Sequence, residues 1–166
     1  VILFYVGIPY ATASWIAAGV FALASVTDFF DGKLARKNNQ VTTLGKFLDP
    51  IADKLLVAAA FVVLTERGYV PAFITIIILS REFIISGLRS VAAADNIIIS
   101  AGQLGKIKAF CQMVAIIVLL ADPNRVLSVA GISLGDVLLW IATALTIWSG
   151  VDYMARNWGV ITGKRK

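Results

Sequence analysis

Five long apolar windows constrain this chain more than any other feature. They run at roughly residues 12 to 32, 46 to 65, 71 to 92, 104 to 121 and 135 to 155, each bounded by charges or turn residues. The hydrocarbon core of a bilayer takes about 20 apolar residues in helical form, so each window is close to the length of one crossing. The runs are continuous rather than alternating and are far longer than the roughly 10 residues of a membrane strand, which argues against a β-barrel. The opening run Val1 to Ile8 is too short to span and reads as the end of a truncated first helix whose natural start is missing. The expectation is an all-α, polytopic membrane helical bundle with about six transmembrane helices, the first one truncated, forming one domain over residues 1–166.

Composition agrees. An apolar fraction of 59% and a mean hydropathy of +0.86 exceed what a water-soluble core of 166 residues requires. The chain has no histidine, which removes His-dependent triads, His proton shuttles and the usual zinc sites. Its single cysteine, Cys111, lies inside an apolar run and reads as a packing residue.

Lys and Arg number 15 against 10 Asp and Glu, and they are unevenly distributed. Lys33, Arg36, Lys37 and Lys46 flank one connection, Arg89, Lys106 and Lys108 a second, and Arg156, Lys164, Arg165 and Lys166 the tail. The alternate connections hold only Arg67 and Arg125. Positive charge accumulates on the cytoplasmic side of membrane proteins, so this asymmetry predicts an integral membrane protein with its polar ends facing the cytoplasm. The basic tail then serves as a topology anchor against anionic membrane lipids, with no nucleic acid partner.

The anomaly is the position of the carboxylates. Asp28 and Asp31 lie near the end of one apolar window, and Asp49 and Asp53 near the start of the next. A central Asp costs about 2.5 to 3.5 kcal/mol on insertion scales, so four of them near the interface demand an offsetting interaction. At 100° per residue, Asp28, Asp31, Gly32, Ala35 and Arg36 share an arc of about 140° on one helix. Gly45, Asp49 and Asp53 align at i, i+4 and i+8 on the next. A hairpin turning around residues 38–43 would set the two stripes face to face. Like charges that close persist only if they protonate, pair with bases or bind cations. Oxygen-only ligands select hard ions, Mg²⁺ first with Mn²⁺ or Ca²⁺ as substitutes, and two carboxylate-bridged ions suit phosphoryl chemistry. Gly32, Ala35 and Gly45 keep side-chain bulk away from the same stripes, leaving room for a ligand against the backbone.

The pattern Asp28-x2-Asp31-Gly32-x2-Ala35-Arg36-x8-Gly45-x3-Asp49-x3-Asp53 resembles the signature of the CDP-alcohol phosphatidyltransferases at all eight specified positions. The segments Asp49 to Lys54, Ser80 to Phe83, Ser86 to Arg89 and Gly105 to Lys108 extend the similarity to bacterial members over nearly the whole chain. The resemblance implies transfer of a phosphatidyl group from a CDP-linked lipid, CDP-diacylglycerol, to an alcohol with release of CMP. It assigns Asp28, Asp31 and Asp49 to metal binding, and Asp53 to metal contact and activation of the acceptor hydroxyl. It places Arg36 at the pyrophosphate, with Gly32, Ala35 and Gly45 admitting the cytidine.

The acceptor is read from a second group of charges. Arg81 and Glu82 fall inside an apolar window, and Glu82, Ser86 and Arg89 share a stripe at i, i+4 and i+7. Arg81 and Glu82 together also suit a structural salt bridge. Arg81, Arg89 and Lys106 at the mouth of a metal-loaded cleft would attract a dianionic phosphate, a demand met by sn-glycerol 3-phosphate. Lys106 is favoured over Lys108 because Gly102 and Gly105 open space near it, and two residues on a helix point about 160° apart. Inositol phosphate would use such a cluster too, whereas serine would not. A divalent-cation transporter would spread its carboxylates along a path, yet these four lie near one end of their windows. Small residues and exposed apolar spans would permit a homodimer.

Overall fold

The structure, a computed structural model, describes residues 10–37, 43–94, 102–122, 124, 126–129 and 131–161. Five helices account for nearly all of them: α1 (Tyr10–Lys37), α2 (Thr43–Glu66), α3 (Ala72–Ala94), α4 (Gln103–Ala121) and α5 (Leu134–Ile161). Each follows one apolar window of the sequence. A two-residue antiparallel ribbon, β1 (Ser128–Val129) with β2 (Ile132–Ser133), joins α4 to α5. The expected partial helix at Val1 to Ile8 lies outside the described residues.

Two helices are long and apolar enough to cross a membrane, Gln103–Ala121 and Leu134–Gly159. The apolar stretch Thr12–Thr27 of α1 is shorter, and α3 carries Arg81, Glu82 and Arg89 within its length. The chain is therefore all-helical with two candidate spans among the described residues, where the windows predict about six.

The helices end for local reasons. After α2, Gly68 adopts a φ of 75° that costs other residues strain, and Tyr69 N donates to Leu64 O at 2.9 Å to close the turn. The hydroxyls of Thr65 and Thr75 share a 2.6 Å hydrogen bond that ties α2 to α3. Asp122 gathers the backbone N–H groups of Val126 and Leu127 at 2.7 and 3.0 Å. At the start of α5, Asp136 N donates to Ser133 Oγ at 3.1 Å and Ser133 N donates to Asp136 Oδ2 at 3.2 Å, a reciprocal capping box.

Packing is organised around α4, whose most extensive contact is with α5, followed by its contact with α1; α3 lies against α5. Phe61, Ile74, Ile78, Ile116 and Leu139 form the apolar centre. Around them the usual soluble pattern is inverted. Lys108, Gln112, Thr143, Thr146 and Ser149 are buried, while Leu23, Phe110 and Trp148 are at least 65% exposed. Polar groups inside and large apolar groups outside suit a chain solvated by lipid, where small and hydroxylated residues line helix contacts. Gly135 shows how close that packing is: a Cβ there would stand 2.6 Å from Leu119 Cδ2.

Candidate active site

α3 carries Arg81 and Glu82 as neighbours in mid-helix, with side chains only 16% and 19% exposed. Charges removed from solvent need partners, and both find them. Arg81 Nη1 lies 3.4 Å from Glu82 Oε1, and Lys108 Nζ from α4 is ion-paired to the same oxygen. Arg81 Nη2 donates to Ser149 Oγ on α5 at 3.1 Å, and Ser149 Oγ donates to Thr146 O at 3.2 Å. A continuous polar chain, Lys108–Glu82–Arg81–Ser149, therefore crosses from α4 through α3 to α5. Next to it, Gln112 Nε2 donates to Thr146 Oγ1 at 3.0 Å, a second polar link between α4 and α5. Arg81 Nε and the Tyr153 hydroxyl are buried without a hydrogen-bond partner among the described residues.

This chain borders an open cavity of about 320 Å³. α3 contributes Arg81, Glu82, Ser86 and Arg89 to its wall, α5 contributes Ser149, Asp152 and Tyr153, and α2 contributes Lys54. α4 begins at its edge, where Gly102 occupies the N-cap without a side-chain hydrogen bond and Gly105 and Lys106 follow in the wall. The positive end of the α4 dipole thus adds to the local field. Five basic and two acidic side chains line the space, an excess of three positive charges. The acids are already engaged, Glu82 as above and Asp152 by Arg156 Nε at 2.7 Å. The cavity is suited to a small, multiply charged anion.

Arg81, Arg89 and Lys106, predicted from sequence as one group, all line this one cavity. Both Lys106 and Lys108 line the cavity and they differ in exposure: Lys108 is 3% exposed and held by Glu82, whereas Lys106 is exposed. Arg81 also makes the contact with Glu82 that a structural salt bridge requires. Asp28, Asp31, Gly32, Ala35 and Arg36 fall on α1, and Gly45, Asp49 and Asp53 on α2, two helices in contact. The side chains of all eight lie outside the described residues. Among the described residues there is no group of three or more potential metal-ligating side chains. Lys54, the residue after Asp53, lines the basic cavity, so the wall of that cavity and the expected acidic stripe adjoin on α2.

Sequence reasoning missed the contribution of α5. Thr143, Thr146, Ser149 and Tyr153 recur every three or four residues and are all buried, a polar stripe on one helix face that was present in the pattern.

A family model for CDP-alcohol phosphatidyltransferase matches residues 1–148. The chain belongs to that family. Among its relatives, the Bacillus subtilis protein named CDP-diacylglycerol–glycerol-3-phosphate 3-phosphatidyltransferase is 45% identical over 84% of this chain and 72% of its own length. Proteins of the same name from Rickettsia bellii and Salmonella choleraesuis are each 41% identical, over 92% and 93% of this chain and 83% and 84% of their own. The family signature and the basic cavity thus fall on adjoining parts of one helix bundle.

Proposed function

We propose that this chain is a CDP-diacylglycerol–glycerol-3-phosphate 3-phosphatidyltransferase, forming phosphatidylglycerophosphate and CMP in phospholipid biosynthesis. The observation that carries the choice of acceptor is the cavity lined by Arg81, Arg89 and Lys106, with three net positive charges and room for a phosphate. Its relatives' shared name points the same way. The protein resides in the bacterial cytoplasmic membrane with about six spans and its site at the cytoplasmic face, in keeping with the Lys and Arg distribution, and it assembles as a homodimer through its exposed apolar helices.

The donor set fits a divalent cation: Asp28, Asp31, Asp49 and Asp53 would hold Mg²⁺, or Mn²⁺ in its place, most simply as two ions. Bound there, such ions supply charge neutralisation for a pyrophosphate and its leaving group. Arg36 orients the pyrophosphate, and Gly32, Ala35 and Gly45 leave space for the cytidine. Arg81, Arg89 and Lys106 bind the phosphate of glycerol 3-phosphate and so fix the distance from that phosphate to the reacting hydroxyl. The hydroxyl oxygen attacks the phosphatidyl phosphorus in line as Asp53 accepts its proton; a P–O bond forms, the bond to the CMP oxygen breaks, and CMP departs with the electron pair.

Purified protein incubated with CDP-diacylglycerol and, separately, glycerol 3-phosphate, inositol phosphate and serine tests the assignment. CMP release is expected with glycerol 3-phosphate. Preferential use of serine would overturn the reading, because a basic phosphate pocket has no role with that acceptor.

A further inference from the structure

From the contacts of Arg81 we infer that Ser149 and Gly150 of α5 form the seat that sets its reach into the cavity, making them positioning residues for acceptor recognition. The inference rests on the acceptor-phosphate reading of that cavity. Arg81 is a long side chain on α3, and without restraint its guanidinium would sample many rotamers. Its Nε makes no hydrogen bond among the described residues, so its orientation depends on the two terminal nitrogens. Nη1 reaches Glu82 Oε1 only at 3.4 Å, and Lys108 competes for that same oxygen. Nη2 has the shorter bond, 3.1 Å to Ser149 Oγ. Ser149 is itself fixed, 3% exposed and bonded to Thr146 O.

Gly150 acts through space. A Cβ at that position would lie 3.2 Å from Arg81 Cγ and 3.6 Å from Nε. The first distance is tighter than ordinary van der Waals contact, so a side chain there would displace the arginine stem by a few tenths of an ångström. Both α5 residues therefore bear on Arg81, one by a bond and the other by leaving room for its stem. A bidentate or forked contact to phosphate tolerates little displacement, so the seat acts on acceptor affinity without touching the substrate.

Steady-state kinetics of the full chain in mixed micelles, varying glycerol 3-phosphate and CDP-diacylglycerol separately, tests this. Ser149→Ala and Gly150→Ala are each expected to raise the KM for glycerol 3-phosphate about 5- to 20-fold, near the low end for a hydrogen bond to a charged group because the effect is indirect, with the KM for CDP-diacylglycerol unchanged. Ser149→Ala removes atoms rather than adding them, so it stands as the deciding variant if Gly150→Ala fails to fold. The seat is overturned if Ser149→Ala leaves the acceptor KM unchanged while Arg81→Ala raises it, or if it affects both substrates equally. If Arg81→Ala itself leaves the acceptor KM unchanged, the acceptor-phosphate reading falls with it.

Discussion

Lys108 on α4 and Glu82 on α3 form an ion pair in which the lysine side chain is only 3% exposed. A buried charge that loses its partner costs more than the pair contributes. Lys108→Met is therefore expected to destabilise the protein by about 3 kcal/mol, the low end for removing one member of such a pair, measured by unfolding in detergent. The double variant Lys108→Met/Glu82→Gln removes both charges but also takes the carboxylate from Arg81, so it should recover only part of the loss. Additive losses would show that the two side chains do not depend on each other.

Lys106 differs from its neighbour two positions on, being exposed at the cavity edge where α4 begins. Lys106→Ala should leave unfolding within about 0.5 kcal/mol of the parent, as for other surface substitutions. It should also raise the KM for glycerol 3-phosphate about tenfold, as should Arg89→Ala, by loss of one charged contact to the phosphate. Kinetic titration of the acceptor checks both.

Gly135 of α5 packs directly against the Leu119 side chain of α4. With a Cβ placed 2.6 Å from Leu119 Cδ2 and 3.0 Å from Cγ, Gly135→Ala must push the leucine aside. The expected cost is about 1–3 kcal/mol, the usual range for overpacking. In a Leu119→Ala background the same substitution should cost less, because the obstructing atoms are gone. Thermal unfolding of the four proteins measures the difference.

The sequence revealed the helices because lipid and helix periodicity leave direct marks on it. The window at 104 to 121 matches Gln103–Ala121 within one residue, and that at 71 to 92 corresponds to Ala72–Ala94. α1 and α5 continue past their windows, to Lys37 and Ile161, because hydropathy reports the surrounding solvent rather than the end of backbone hydrogen bonding. The ribbon of β1 and β2 was marked in the sequence only as a break at Gly131 to Gly135, and Gly131 has a φ of 81°. At the site, Arg81, Arg89 and Lys106 were legible as costly charges near apolar windows. The bond from Arg81 to Ser149 was not, because it spans 68 positions and depends on how α3 meets α5. Nor did spacing on one helix disclose that Lys108 would find its partner on another.

The carboxylates on α1 and α2 carry the proposed chemistry, with Asp53 as its proposed base. Asp53→Asn preserves shape and removes the proposed proton acceptor, so it should abolish turnover while CDP-diacylglycerol still binds. Near-normal turnover would remove Asp53 from the proton-transfer step.

Release of CMP from CDP-diacylglycerol by purified protein in glycerol 3-phosphate, first with chelator and then with added Mg²⁺, tests the metal-dependent transfer most directly. Release should be absent in chelator and restored by Mg²⁺, with one CMP set free for each phosphatidylglycerophosphate formed. Undiminished release in chelator, or CMP formed without that lipid product, would contradict it.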